Sequence, residues 1–417
     1  MAAGFRGCAS RYFWSTVIPL AAIYPSLGAI LVLYAACCGG FGGYSAAMLA
    51  AAGLLVALSS TNLFVSMLVA LLRTDLQLLA FLAGNAARIA VGVGLVVLGF
   101  GWAGAVAGFA AMSLVILIVS AAYVARMVGI SLAVDPVALR EVLTAGLASW
   151  LPGVMVLAGQ WLGVLAVYGS STSVETGHYY IAVMIAGFAA AIGTSIASML
   201  LPVLSGVEHG RGELASASLR IALALSMPVS AYIVAYPGFV LGLLGKSYRE
   251  ASTALSILAA SAPAMVFYTA VSSLAYAGNR YHTVAGMGFA QNLPRIILYA
   301  PLASLYGGLG AAIAYTLEAY TGLAAVYVAR QLELRVEPRK LLVAVAMPAL
   351  LAAAARLASV PAVPALILFA ASYIAYGRLR IVSRREAAEL ASAFIPRDRL
   401  EKLYNQLRPL VDLALPT

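Results

Sequence analysis

The chain has 417 residues and a formal net charge of +10, with 63% hydrophobic and only 10% charged residues. Soluble domains carry about 25% charged and about 45–50% apolar residues, and so few polar side chains could not cover the surface of a soluble fold of this length. The composition therefore excludes a secreted or cytosolic enzyme and a disordered chain. It predicts an integral membrane protein.

Apolar stretches follow one another along the chain, and many are long enough to cross a bilayer, which takes about 20 residues. We predict twelve spans, at 15–37, 44–71, 76–99, 102–125, 143–168, 178–204, 217–244, 252–277, 283–306, 308–329, 341–359 and 361–377. A polar tail follows. Its mixture of basic and apolar residues from 384 to 408 predicts amphipathic helices on the cytoplasmic leaflet.

Basic residues distinguish the two sides of the membrane. When the N-terminus is placed in the cytoplasm, nearly all Lys and Arg residues fall in cytoplasmic segments, and only Lys246, Arg249 and Arg356 fall outside. Two more, Arg88 and Arg295, lie within spans. Cytoplasmic loops carry an excess of Lys and Arg. The distribution therefore predicts a cytoplasmic-membrane protein with both termini in the cytoplasm.

An internal repeat relates the third and fourth spans to the ninth and tenth. Its matched residues lie 207 positions apart and comprise Arg73 and Arg280, Asn85 and Asn292, Arg88 and Arg295, and Gly101 and Gly308. Six spans separate the copies, so both run in the same direction, as in two-lobed transporters. Four spans precede the matched pair in the second lobe but only two in the first. The first lobe is therefore expected to be short by two helices, either as a natural short form or because the start codon lies further upstream.

The fold prediction is an all-α polytopic membrane protein with about twelve transmembrane helices in two pseudo-symmetric lobes. We predict an N-terminal lobe of about four spans at 1–140 and a C-terminal lobe of about six spans at 141–335. A C-terminal helix pair at 336–380 and a cytoplasmic amphipathic tail at 381–417 complete the expected organisation.

Short motifs in the second half resemble those of Wzx-type polysaccharide flippases. The segments 244–251 (LGKSYREA) and 255–258 (LSIL) are similar to the family's "llG..Y..A...L.iL", and 277–280 (AGNR) is similar to its "A.G.." turn. Asn292 followed by 307–314 (GGLGAAIA) resembles "N…G..GAAiA", and 177–182 and 201–205 resemble two further motifs. The resemblance covers residues 140–380. It implies the multidrug/oligosaccharidyl-lipid/polysaccharide exporter superfamily, two lobes of six helices, and alternating access.

Three ionisable groups lie well inside predicted spans: Arg88, Arg295 and Glu318. At 1.5 Å per residue, Arg295 lies about 18 Å from the cytoplasmic start of its span, and Glu318 about 15 Å from the outer start of the next. Their depths nearly match in a core about 30 Å thick. They could satisfy each other as an ion pair, or Glu318 could titrate during proton-coupled transport.

Arg88 differs because Ala111 stands at the repeat position that matches Glu318. An intramembrane arginine without a carboxylate partner predicts an anionic ligand, such as the phosphate or diphosphate of a lipid-linked sugar. Asn85 and Asn292 precede the arginines by three residues, so they share a helix face with them. They would contact sugar hydroxyls or bond neighbouring helices. The predicted substrate-binding set is Arg88, Arg295, Asn85 and Asn292.

The leading functional prediction is a flippase for lipid-linked oligosaccharide in surface polysaccharide or glycoprotein assembly, with membrane lipids and glycan-assembly enzymes as partners. The alternative is a cation-coupled multidrug exporter, which one carboxylate beside two arginines disfavours. The scattered histidines and cysteines match no metal-binding spacing, so we expect no metal and no cofactor. The basic charge follows from membrane orientation rather than from a nucleic-acid partner. We find no catalytic motif and no filter-like loop, so neither an enzyme nor a channel is expected.

Overall fold

The computed structural model describes residues 2–38, 45–71, 73–130, 134–205, 210–278, 280–332, 334 and 337–382. The predicted amphipathic tail beyond 382 and Asn279 of the 277–280 motif lie outside these ranges. The described residues form helices and no strand. Their α-helices are α1 Ala2–Cys38, α2 Ala46–Leu58, α3 Thr61–Ala70, α4 Thr74–Leu95, α5 Gly101–Val128, α6 Pro136–Ser170, α7 Ser173–Ser205, α8 Arg211–Ala235, α9 Pro237–Gly242, α10 Ser252–Ala259, α11 Ala262–Ala277, α12 Tyr281–Thr321, α13 Ala325–Gln331, α14 Pro338–Leu357 and α15 Ala362–Arg378.

Within the described ranges, seven helical stretches are long and apolar enough to cross a membrane, or eight if the bent pair Ser247–Ala259 and Ala262–Ala277 is one span. Two of the seven, Thr74–Val128 and His282–Gln331, are 55 and 50 residues long, and each holds two predicted spans folded back as a hairpin. Shorter apolar helices, Trp161–Ser170 and Ala362–Arg378, lie at two further predicted spans. Helices thus overlie all twelve predicted spans, which confirms an all-α, multi-pass membrane protein.

Several spans are broken where the sequence prediction had them continuous. The span at 252–277 bends by 40° between α10 and α11, because Pro263 lies in the first turn of α11 and a proline ring cannot continue a preceding helix without a clash. The span at 217–244 breaks at Tyr236, directly before Pro237, since the residue before a proline is pushed out of the helical region. The span at 44–71 breaks between α2 and α3.

The chain divides into two compact units, Met1–Ser149 and Trp150–Thr417, whereas the predicted lobe boundaries at 140, 335 and 380 stay predictions. In the first unit, the buried side chains of Phe13, Trp14, Leu68 and Val124 pack together. The indole Nε1 of Trp14 donates a hydrogen bond to the Gly129 carbonyl at 2.8 Å. Elsewhere in this unit, Gly28 of α1 and Gly53 of α2 lie so close together that a Cβ atom on either would collide with the carbonyl oxygen of the other, and such small residues are usual where membrane helices pack.

The second unit is built around α7, α8, α11 and α12, with α14 packed against α8. A Cβ atom on Gly193 of α7 would lie 2.5 Å from Val266 Cγ2 of α11, so the glycine lets these helices pack closely. At one end, the buried Arg220 guanidinium of α8 contacts the Glu337 carboxylate directly before α14. Lys340 lies 2.8 Å from the same carboxylate. The hydrogen bond from Lys340 and the positive charge of Arg220 lower the pKa of Glu337 below the ordinary 4.5.

We expect the Glu337 contact to stabilise the docking of α14 in a pH-dependent way. A carboxylate with a lowered folded pKa stabilises the fold above its ordinary pKa and loses this effect as the pH falls through the folded value. The thermal unfolding midpoints of wild type and Glu337→Gln in detergent should therefore differ near pH 6 and converge below about pH 4. Because Glu337 is half exposed, the difference should be small. A difference that stays constant across this range would contradict the assignment.

Candidate functional site

The α4–α5 and α12 hairpins share one local geometry. Gly101 turns the first hairpin with φ 53° and ψ −130°, and Gly307 turns the second with φ 56° and ψ −134°. Both helices begin after an arginine of similar conformation, Arg73 and Arg280. The structure therefore gives the two sequence copies the same hairpin, but it matches Gly101 with Gly307 rather than with Gly308.

The one-residue correction has a physical cause. In the first hairpin, Gly99 already leaves helical geometry two residues before the turn, with φ 93° and ψ 4°, whereas Gly307 is the one residue outside helical geometry in α12. The first copy thus takes up one additional residue at its turn. Residues before the turn therefore correspond at a spacing of 207, and the residues that follow it directly correspond at 206. At that spacing the equivalent of Glu318 is Met112 rather than Ala111. The first hairpin still has no carboxylate at this position.

Arg295 lies in a closed, neutralised site in the second unit. Its Nη1 is 3.4 Å from Glu318 Oε2, and both residues are nearly fully buried, at 4% and 2% exposure. Its Nη2 donates to the Asn292 side-chain oxygen, and its Cζ lies 5.5 Å from the Tyr315 ring centroid. Gly159 of α6 covers the guanidinium so closely that a Cβ atom would collide with it. Asn292, Arg295 and Glu318 are thus brought together.

Arg88 occupies the equivalent position in the first unit, but its site is open. Its Cζ lies 3.9 Å from the ring centroid of Phe109, the counterpart of Tyr315 at a spacing of 206. The guanidinium is exposed and forms no ion pair with a carboxylate in the part of the chain that the structure describes. It lines a groove of about 490 Å³ together with Asn85, Ile89 and Phe109. This groove combines one unpaired cation, one amide and a largely apolar wall.

The two asparagines bond first within their own helices. Asn85 Nδ2 donates to the Phe81 carbonyl at 2.9 Å, and Asn292 Nδ2 donates to the Gly288 carbonyl at 2.8 Å. Each bond reaches back four residues, which is the local alternative to bonding a neighbouring helix. Asn292 uses its oxygen for Arg295, whereas Asn85 is exposed beside Arg88. Asn85 is therefore the asparagine that faces open space.

Sequence reasoning missed the aromatic platforms and the covering glycine. Phe109 and Tyr315 lie beneath the two arginines, and the repeat could have revealed them once the spacing was corrected to 206. A guanidinium over an aromatic face gains about 0.5–2 kcal/mol and is held in a fixed plane. No motif or repeat match in the sequence points to Gly159. Its role depends on where α6 packs.

The Gly307 turn offers a test of local strain with a built-in control. Both Gly101→Ala and Gly307→Ala place a side chain at positive φ, which costs about 1–3 kcal/mol. At Gly101 a Cβ atom would meet open space, but at Gly307 it would collide with the Glu175 carboxylate. We expect Gly307→Ala to lower the thermal unfolding midpoint more than Gly101→Ala does. Adding Glu175→Ala should remove the excess, and equal midpoints for the two glycine variants would contradict this geometry.

Comparison with known proteins gives a structural match without a sequence match. No protein-family model matches the chain, and no curated protein matches it. A solved structure of the lipid II flippase MurJ, in an inward closed conformation, superposes with a TM-score of 0.64. The match covers 89% of this chain and 84% of that chain, at 14% sequence identity. The chain has the MurJ fold.

The MurJ fold agrees with the multi-helix transporter architecture that the sequence predicts. At this level of identity the likeness concerns the fold, and it does not distinguish Wzx-type flippases from other flippases. The extent of the match shows that the resemblance is not confined to residues 140–380, where the sequence motifs lie. Because a likeness in fold does not assign roles to side chains, the role of the Arg88 groove has to be inferred from the residues that line it.

Proposed function

We propose that the protein is a flippase that carries a lipid-linked oligosaccharide with a phosphate or diphosphate group across the cytoplasmic membrane. The observation that carries this proposal is the open guanidinium of Arg88 above Phe109. Ionisable groups within membrane spans are costly and are usually functional. A flippase fold with an unpaired cation in a groove is suited to an anionic lipid headgroup.

The geometry at Arg88 supports phosphate recognition. The Phe109 ring covers one face of the guanidinium, while the N–H groups point outward in its plane and can form paired hydrogen bonds to two phosphate oxygens. The groove volume of about 490 Å³ lies within the range of about 300–1,000 Å³ typical of small-ligand sites. Asn85, one turn earlier on the same face, is available for a neighbouring hydroxyl group.

The Arg295 site supports a different role. Its charge is balanced by Glu318, its Nη2 is bonded to Asn292, and α6 covers it. We therefore assign Arg295, Asn292 and Glu318 to holding the α12 hairpin, and we keep Arg88 and Asn85 as headgroup contacts. The duplicated arginine would serve the structure in one unit and the substrate in the other.

Alternating access fits a two-lobed transporter with a flippase fold. The polar headgroup would pass through the protein while the lipid tail stays in the bilayer. With both termini in the cytoplasm, loading would occur on the cytoplasmic leaflet and release on the outer leaflet. Glycan-assembly enzymes would supply the lipid-linked oligosaccharide and use it after release, in surface polysaccharide or glycoprotein assembly. The structural similarity to a lipid II flippase supports this class of substrate.

A sidedness assay tests the proposal directly. Purified protein is reconstituted into liposomes that contain a labelled lipid-diphosphate oligosaccharide, and an impermeant reagent reports the fraction exposed on the outer leaflet. We expect protein-dependent equilibration between the leaflets, and no equilibration in protein-free liposomes. Failure of wild-type protein to move the lipid, combined with proton- or sodium-driven efflux of an organic cation, would instead support the multidrug-exporter alternative.

A further inference from the structure

A polar cavity lies at the end of the second unit that the sequence predicts to face outside. Three predicted outer turns meet there: the start of α7, the 3₁₀ turn Ser247–Ala251 and the Gly307 turn of α12. The cavity measures about 450 Å³, and its polar lining residues are Thr172, Glu175, His178, Glu250 and Thr253. It is separate from the Arg88 groove, which belongs to the first unit.

Glu175 forms the fixed wall of this cavity. Its Oε1 accepts a hydrogen bond from the Gly308 N–H at 2.7 Å, and its Oε2 accepts one from the Ser171 hydroxyl. The carboxylate is therefore held in place by the α12 turn. Each carboxylate oxygen has two acceptor sites, so Glu175 can still accept hydrogen bonds from a ligand.

His178 is the buried polar side chain of the cavity that forms no hydrogen bond within the described residues. Its side chain is only 9% exposed, and its Nδ1 lies 3.6 Å from Glu250 Oε2, which is too far for a hydrogen bond. The ring packs edge-on against Tyr248 with centroids 5.4 Å apart. Neither ring nitrogen makes a hydrogen bond to any described residue. A ligand hydroxyl that enters the cavity can therefore bond this ring, either as donor or as acceptor.

The lining selects the chemistry of a ligand in this cavity. Glu175 and Glu250 place two negative charges at the cavity, so they repel a phosphate. Among the described residues, no group of acidic and histidine side chains could hold a metal ion. Carboxylates are acceptors, and hydroxyls are donors that match them. Thr172 and Thr253 add hydroxyls that both donate and accept. Glu250 is 79% exposed, so it can move to meet a ligand while Glu175 stays fixed.

We infer that this cavity is a subsite for the uncharged, hydroxyl-rich glycan of the transported lipid, on the release side of the membrane. The inference rests on the proposed function, because that function supplies the glycan. Sugar hydroxyls bond the His178 ring and donate to the carboxylates of Glu175 and Glu250. The chain thus contacts the two parts of its substrate with opposite charges: an arginine for the phosphate and carboxylates for the sugar.

A binding measurement that needs neither lipid nor transport tests this subsite. The probe is the water-soluble oligosaccharide released by mild acid from the lipid-linked oligosaccharides of the cell that makes the protein, labelled at its reducing end. Equilibrium dialysis against the full-length protein in nanodiscs gives its affinity. We expect saturable binding by wild type and about tenfold weaker binding by Glu250→Gln, since a hydrogen bond to a charged acceptor is lost.

Lys246→Gln is the matched control, because Lys246 is exposed directly before the same 3₁₀ turn but does not line the cavity. Its affinity should equal that of wild type. No saturable binding by wild type, or equal affinities for wild type and Glu250→Gln, overturns the subsite. Flipping of the lipid-linked probe without glycan binding would remove the subsite alone. Glycan binding without flipping would remove the proposed function and leave the subsite.

Discussion

Replacing Arg88 with alanine should abolish flipping of a lipid-diphosphate oligosaccharide in the liposome assay, while folded protein remains in the membrane. Arg88 is exposed and its charge is unpaired within the described structure, so its loss leaves no buried partner unsatisfied. A bidentate charge-assisted contact loses two hydrogen bonds of about 1.5–3 kcal/mol each. The expected result is a loss of transport of about a hundredfold or more.

Two companion variants make the Arg88 result specific. Arg88→Lys keeps the positive charge but not the planar fork, so it should retain part of the activity. Arg73→Ala removes an exposed arginine that pairs with Asp75 at 2.9 Å at the start of the same helix, and it should leave flipping unchanged. Full activity in Arg88→Ala, or equal losses in Arg88→Ala and Arg73→Ala, would contradict the proposal that Arg88 binds the substrate phosphate.

Glu318→Leu should strongly destabilise the second unit. It would leave the Arg295 guanidinium buried without its carboxylate, and breaking a buried ion pair in this way costs about 3–5 kcal/mol. Titration with a denaturing detergent in mixed micelles measures the free energy of unfolding. Met112→Leu is the matched control in the first hairpin, at the equivalent position, and its cost should stay below about 1.5 kcal/mol.

The double variant Arg295→Met with Glu318→Leu separates structure from transport. Replacing both partners of a buried pair by apolar residues is often neutral or stabilising, so stability should return close to the wild-type value. If the pair only holds the hairpin, this variant should flip the substrate at the wild-type rate. A stable double variant without flipping would contradict the structural role and favour proton coupling through Glu318.

The hairpin repeat shows how far sequence matching could reach. Identical residues at a constant spacing located both arginines and both asparagines, because each copy keeps its residues at the same helical positions. The spacing failed after the turn, since one additional residue is taken up at the kink around Gly99, directly before Gly101. Backbone geometry was needed to match Gly101 with Gly307, and only then do Phe109 and Tyr315 become equivalent.

Breaks within the spans were partly foreseeable. Prolines at 237 and 263 indicate where helices cannot continue, and both breaks occur there. The break between α2 and α3 has no proline, and hydropathy alone cannot reveal it. Apolar composition fixes that a segment is in the membrane, but it does not distinguish a straight helix from two short ones.

By itself, the sequence determined the membrane class, the places of the spans, the duplicated hairpin and the three ionisable groups within the bilayer. These features can be read from the sequence because they depend on runs of neighbouring apolar residues and on identical residues at a constant spacing. Only the tertiary structure decided that Arg295 is closed and neutralised whereas Arg88 is open. That difference depends on Gly159 and Glu318, which reach Arg295 from distant parts of the chain, and on Met112 standing where a carboxylate would be. Charge and burial at an intramembrane arginine are set by the helices packed around it, so composition cannot assign its role.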